Sequence, residues 1–127
     1  MNATRVVAAL AAAEGLALLA RPVPTAAALG LGETPPPTWL VRVLGGRRLV
    51  QHAALAVAPG STAARLAVVT ELGHAVSMLP AALLWPAHRR AALTSAGGAV
   101  AVACAVHLAR PRPTRSAAGD LWTDPTR

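Results

Sequence analysis

The stretch VLGGRRLVQHAALAV, residues 43–57, places two adjacent arginines inside a segment of mainly apolar residues. A charged side chain at the centre of a bilayer costs about 2.5–3.5 kcal/mol on insertion scales, so it normally faces the protein interior and has a partner there. Two acids, Glu14 and Glu71, lie inside neighbouring apolar segments and match the two arginines in charge. The stretch therefore predicts membrane-spanning helices that surround a polar interior.

The composition of the chain also indicates an integral membrane protein. Of its 127 residues, 54% are hydrophobic and 13% are charged, and the mean hydropathy is +0.48. Soluble domains carry about 25% charged residues, so this chain lacks the polar groups needed to cover a water-exposed surface. We therefore predict a multi-pass protein of the cell membrane, with the lipid bilayer as its principal partner.

The basic residues indicate a membrane orientation and not nucleic-acid binding. The net charge is +7, but the arginines stand at the ends of apolar segments and form no single stripe. Trp39 and Trp85 fall where an aromatic belt at one membrane surface would lie. Two sets of arginines flank the predicted spans on opposite sides: Arg5, Arg65, Arg110, Arg112 and Arg115, against Arg21, Arg42, Arg89 and Arg90. The larger first set favours cytoplasmic termini.

Four apolar segments predict an all-α fold, a bundle of four transmembrane helices. The predicted helices cover about residues 3–21, 39–58, 62–85 and 89–109, within one domain of residues 1–109. The Pro- and Gly-rich linker has room for one short helix at Thr25 to Leu31, and residues 110–127 predict a disordered basic tail. A signal peptide is the alternative for the first segment, but Glu14 interrupts its apolar run.

Small residues at a spacing of four predict close helix packing. Gly73 with Ser77, and Gly97 with Ala101, have this spacing in the third and fourth segments. Small residues allow transmembrane helices to approach each other closely. We therefore expect helix contacts at both positions.

The polar residues within the segments predict one interior site. A helix rise of about 1.5 Å per residue puts Glu14 and both arginines about 10–14 Å below the tryptophans, and the other polar residues about 16–21 Å below them. We expect Glu14 to pair with Arg47 or Arg48. The predicted interior polar network or ligand-binding site comprises Glu14, Arg47, Arg48, Gln51, His52, Glu71 and His74.

Two functions agree with this interior site. The first is a non-enzymatic accessory or interaction subunit, whose network holds the helices together and whose partners are other membrane proteins or a second copy. The alternative is a small proton-coupled carrier or sensor that binds an acidic or polar ligand at Arg47 and Arg48. A carrier needs a cavity that water reaches, whereas a sealed network does not. In a further alternative, the second segment lies flat in the membrane interface.

A metal enzyme is a third hypothesis. Glu71 and His74 form a Glu-x-x-His pair on one helical face, but di-iron bundles use two such motifs and two more carboxylates. A single-metal site from Glu14, His52, Glu71 and His74 is the remaining version. We predict no metal, no cofactor and no catalytic residue.

Two motifs carry a resemblance to known proteins. VLGGRRLVQ at residues 43–51 and ELGHAVSM at residues 71–78 resemble helices of small four-helix integral membrane proteins from high-GC bacteria. The resemblance covers roughly residues 5–108 and implies a four-helix membrane fold, but that group has no assigned function. The small multidrug-resistance transporters also carry an acid in their first helix, as Glu14 does. This chain lacks the aromatic residues of their cation pocket, and its two arginines would repel cations.

Overall fold

The described residues of the chain fold mainly into α-helices. The computed structural model describes residues 2–32 and 36–110. Within these ranges the chain has no strand, so the all-α prediction is confirmed. The helices are α1 (Ala3–Ala20), α2 (Pro22–Ala28), α3 (Thr38–Val57), α4 (Ser61–Leu84) and α5 (Arg89–Ala109), with a 3-10 turn at Pro86–His88. The predicted tail lies outside the described residues beyond Arg110.

Local signals explain where the first helices begin and end. The Asn2 side chain caps α1 by accepting a 2.9 Å hydrogen bond from the Arg5 amide. α2 begins at Pro22 and not at Thr25 as predicted, because proline is well suited to the first turn of a helix. After α2 the backbone turns through Gly30 and Gly32, which have φ angles of 67° and 99° that favour glycine.

The four long helices of the described chain pack as two antiparallel pairs. α1 packs along α3, and α4 packs along α5, whereas contacts between the pairs are fewer. In the first pair, α1/α3, Gly15 lies against Leu49, and Leu18 lies against Gly45. The contacts thus move forward along α1 and backward along α3, as in an antiparallel pair. In the second pair, α4/α5, His74 reaches Ser95. Each pair therefore runs up and down between the same two ends.

The two pairs meet tightly at one end, which we call the closed end. The Thr4 hydroxyl, at the start of α1, donates a 2.7 Å hydrogen bond to the carbonyl of Ala109, at the end of α5. A buried apolar cluster takes residues from all four long helices: Ala8, Leu55, Ala64, Ala67 and Val106. The opposite end carries the exposed Trp39 and Trp85, and we call it the tryptophan end.

A close backbone contact joins α1 to α3 at two glycines. A Cβ atom on Gly15 would lie 2.6 Å from the Leu49 nitrogen and 2.8 Å from the Gly45 oxygen. A Cβ atom on Gly45 would lie 2.7 Å from Leu18 Cβ. Real Cβ atoms do not approach other atoms this closely, so the first pair requires glycine at both positions.

The close packing predicted at Gly73 and Gly97 is wrong within this chain. Both residues are exposed, and no described atom of a neighbouring helix lies within 4 Å of where their Cβ atoms would be. The spacing of small residues shows that a helix has a flat stripe, but it does not show which way the stripe faces. Here the buried glycines lie in the first pair.

The outer surface fits a membrane protein. Three described segments are long and apolar enough to cross a bilayer: α1, α4 and the segment Pro86–Ala109 that contains α5. Their outward faces carry exposed leucines and valines, among them Leu10, Val76 and Leu108. α3 is long enough, at 20 residues, but it contains three arginines.

Candidate functional site

The structure separates the predicted polar residues into two layers. A sealed layer, formed by Gln51, His52 and Glu71, lies between the two helix pairs near the closed end. A cavity layer, which includes Glu14, Arg48 and His74, lies nearer the tryptophan end and lines an internal cavity. Arg47 connects the layers, because it lines the cavity and also contacts Gln51 and Glu71.

The sealed layer joins the first helix pair to the second. Glu71 and His52 are both fully buried. The Gln51 amide nitrogen on α3 donates a 3.0 Å hydrogen bond to Glu71 Oε1 on α4. Arg47 donates to Gln51 Oε1 at 3.3 Å, and its Nη2 lies 3.7 Å from Glu71 Oε1. An acid on α4 is therefore held by an amide and a cation on α3.

His52 is oriented by its own helix. Its Nδ1 lies 3.0 Å from the Arg48 carbonyl, and because a carbonyl only accepts hydrogen bonds, Nδ1 carries a proton. Its Nε2 then faces Glu71 Oε1 at 3.8 Å without a hydrogen bond. Glu71 Oε2 also has no hydrogen-bond partner among the described residues. The acid and the histidine of this layer are closed to solvent, while Gln51 is half-buried, and not all polar atoms of the layer have a hydrogen-bond partner among the described residues.

The cavity layer contains one polar contact within each helix pair. In the first pair, Arg48 Nη2 lies 3.2 Å from Glu14 Oε2, so Arg48 is the arginine that meets Glu14. In the second pair, His74 Nε2 lies 2.9 Å from Ser95 Oγ. His74 therefore does not join the other predicted residues through a direct contact. The two contacts lie on opposite pairs and border the same cavity.

The cavity has a volume of about 700 Å³ and lies between the two pairs. Pockets for small molecules commonly measure about 300–1,000 Å³. Its polar border consists of Glu14, Arg47, Arg48, His74, Thr94 and Ser95, with His88 at the tryptophan end. Its apolar wall includes Leu18, Leu29, Leu40, Leu44, Met78 and Trp85. The cavity thus combines a charged floor with an apolar wall.

Polar and apolar lining residues follow one order on three of the long helices. The cavity-lining polar–apolar pairs there are Glu14–Leu18 on α1, Arg48–Leu44 on α3 and His74–Met78 on α4. Residues four apart lie on one face of a helix, one turn apart, and in each pair the apolar residue is nearer the tryptophan end. On α5 the apolar lining lies on both sides of Ser95, with Ala91 toward the tryptophan end and Val102 toward the closed end.

Sequence reasoning missed two features of this site. Ser95 lies in an uncharged segment, and no pattern marks it as the partner of His74. Gly15 and Gly45 did carry a signal, because a glycine inside a helix costs about 0.8–1.0 kcal/mol relative to alanine and usually has a packing reason. Their contact brings the backbones together beside Glu14 and Arg48.

Within the part of the chain that the structure describes, no set of side chains could serve as the ligands of the single-metal hypothesis. There, no group of three or more His, Cys, Asp or Glu side chains lies close enough to hold a metal ion. The nearest polar contacts of the Glu-x-x-His residues are instead with neighbouring side chains: Glu71 accepts from Gln51, and His74 contacts Ser95.

No protein-family model, curated protein or solved structure matches this chain. The chemistry of the cavity is therefore the basis for assigning a function.

Proposed function

We propose that this chain is an integral membrane protein with four spans that binds a small acidic or polar ligand at Arg47 and Arg48, as a carrier or a sensor. The cavity of about 700 Å³ beside both arginines carries this proposal. A network that only held helices together would be packed closed, as the sealed layer is. The accessory-subunit hypothesis requires no cavity and becomes the second candidate.

The packing of α3 supports its role as the fourth span of a four-helix bundle. It lies along α1, a helix long and apolar enough to cross a bilayer, and this packing supports a span over a helix lying flat in the interface. Arg47 and Arg48 border the cavity, while Val43, Val50 and Val57 are exposed on the outer surface. Charges turned inward and apolar residues turned outward are what a lipid environment requires. Both ends of the described chain lie at the closed end, and the arginine distribution favours this end as the cytoplasmic one.

The two arginines have hydrogen-bonding capacity left for a ligand. A guanidinium carries five N–H donors in a planar fork. Arg48 pairs with Glu14 through Nη2, and Arg47 contacts Gln51 and Glu71, so each guanidinium retains N–H groups that these contacts within the described residues do not use. A carboxylate or phosphate bound by arginine forms short, charge-assisted hydrogen bonds. The cavity therefore suits an acidic group better than a neutral one.

Cysteine labelling tests whether the cavity is reachable from water. In a Cys104→Ser background, which removes the exposed natural cysteine, Thr94→Cys places a thiol in the cavity wall. Ala99→Cys is the matched control on the same helix, because Ala99 is fully buried in the packing between α4 and α5. A membrane-impermeant maleimide is applied to each side of sealed vesicles. We expect the thiol at position 94 to react from one side and the thiol at position 99 to stay unreacted. Equal protection of both would rule out the proposed function.

A further inference from the structure

The geometry points to a ligand class: an amphipathic anion, with an oxyanion head group held at Arg47 and Arg48 and an apolar chain of about ten carbons directed toward the tryptophan end. This inference rests on the proposed function and specifies its ligand. The observation behind it is the repeated order of polar floor and apolar wall on α1, α3 and α4. A ligand that matches this order has one charged end and one apolar end.

The cavity lining can accept an oxyanion beside its own acids. Arg47, Arg48 and Glu14 line the cavity, and Glu71 pairs with Arg47 at 3.7 Å from the sealed layer. The two acids therefore balance the two arginines in charge. An oxyanion at this floor would bind through guanidinium donors that Glu14 and Glu71 do not occupy, without displacing Glu14 from Arg48.

The other groups at the floor suit an oxyanion as well. Ser95 and Thr94 line the cavity from the second helix pair, opposite the arginines, and Ser95 Oγ lies 2.9 Å from His74 Nε2. A serine or threonine hydroxyl can donate a hydrogen bond to a carboxylate or phosphate oxygen. A head group at this position would therefore be contacted by both pairs, and the ligand would bridge them where the protein itself does not.

The length of the apolar wall sets the length of the chain. Arg48 lies nine residues from Trp39 on α3, so the floor is about 13 Å below the tryptophan end at about 1.5 Å per residue. An extended chain covers about 3.3–3.6 Å for every three bonds. About eleven bonds therefore reach from the floor to the tryptophans, which corresponds to an acid of about ten carbons.

The tryptophan end offers a second place for the head group, and the structure disfavours it. Arg42 is exposed on α3 and is not part of the cavity lining. Arg90 packs its side chain against the turn at Gly32, where its Cδ lies 3.5 Å from the position of a Cβ atom. The cations bordering the cavity itself are therefore the floor arginines, and we assign the head group to them.

The test is protection of the Thr94→Cys thiol in the full chain, in vesicles of neutral phosphatidylcholine. Decanoate and decyl phosphate are the two amphipathic anions. Acetate and inorganic phosphate carry the head groups alone, decanol carries the chain alone, and decyltrimethylammonium carries the opposite charge. We expect at least one amphipathic anion to slow labelling at a tenfold or more lower aqueous concentration than its free head group. We expect decanol and the cation not to protect.

Variants separate the floor from the tryptophan end. Glu14→Gln/Arg48→Gln removes both members of the ion pair, so that no charge is left unpaired, and should weaken protection at least tenfold. Arg42→Gln, on the same helix but outside the cavity lining, should leave protection unchanged. If only Arg42→Gln weakens protection, the head group lies at the tryptophan end and the inference is wrong.

The remaining outcomes distinguish this inference from the proposed function. Equal protection by acetate or phosphate would overturn the amphipathic ligand but leave an acidic-ligand site in place. Equal protection by decanol would overturn the anionic head group. A thiol that labels freely and is protected by none of the anions would also overturn the inference. A thiol at position 94 that never reacts would instead overturn the proposed function and, with it, the inference.

Discussion

The closed end and the tryptophan end of the same four helices use polar groups in opposite ways. Near the closed end, the hydrogen bonds of Thr4 and Gln51 run between the two helix pairs and hold them together. Toward the tryptophan end, the contacts of Arg48 and His74 stay within one pair each. Polar side chains that have their partners within one pair form no contact between the pairs. The space between the pairs therefore stays open at this end.

This difference decides which charges support the fold and which are available to a ligand. Glu71 is fully buried and accepts hydrogen bonds across the pairs, so its removal would leave a cation and an amide without their acceptor. Glu14 is about one-third exposed and borders the cavity. The same ion-pair chemistry therefore has a structural role in one layer and a binding role in the other.

Removing the buried acid should have the largest effect on stability. We expect Glu71→Leu to lower the free energy of unfolding by about 3–5 kcal/mol, because it leaves buried polar groups without a partner. Glu14→Leu should cost no more than about 1 kcal/mol, since Arg48 remains at the edge of a cavity that admits water. Reversible unfolding in mixed detergent micelles measures both. Similar losses for the two variants would contradict the division into a sealed and an open layer.

Truncating leucines on α3 should reveal the same contrast in packing. Leu55 is 2% exposed in the closed-end cluster, and Leu55→Ala should cost about 2–5 kcal/mol because it creates a void. Leu44 lines the existing cavity, so Leu44→Ala enlarges open space and should cost about 1 kcal/mol, less than the void-forming change. The same unfolding measurement compares them. A larger loss for Leu44→Ala would show that the cavity is filled in the folded protein.

The smallest expected effects concern two glycines, one buried between α1 and α3 and one exposed on α4. Gly45→Ala should destabilise the protein by about 1–3 kcal/mol, because the new Cβ would press α3 away from α1. Gly73→Ala meets no described atom of a neighbouring helix and should stabilise α4 by up to about 1 kcal/mol through its better helix propensity. Thermal unfolding of the purified variants shows whether each substitution raises or lowers the stability of the protein. Destabilisation by Gly73→Ala would indicate that a partner covers this face.

Much of the helical architecture follows from local sequence. Prolines and apolar runs predict long helices, and each differs by one residue or less from its observed bounds at either end. The depth of Glu14 and of the arginines also predicts their proximity, because depth along a helix depends only on the rise per residue. Residue counting therefore predicts that Glu14 and the two arginines share a level.

The direction in which each helix face points could not be read from the chain. Gly73 and Gly97 have the spacing of packing residues but face outward, while Gly15 and Gly45 form the close contact. His74 lies at the level of the sealed layer by residue counting, yet its partner is Ser95 on α5. Such choices depend on the rotation of each helix about its axis, which is fixed by all of its neighbours together.

The sequence by itself determined that this protein is helical, that its surface is mostly apolar and that two acids and two arginines must share its interior. These properties follow from composition and from the cost of leaving charge in an apolar medium. Only the tertiary structure decided that the pairs separate above the sealed layer and enclose a cavity beside Arg47 and Arg48. The cavity arises from contacts between residues far apart in the chain, and no local pattern encodes where those contacts stop.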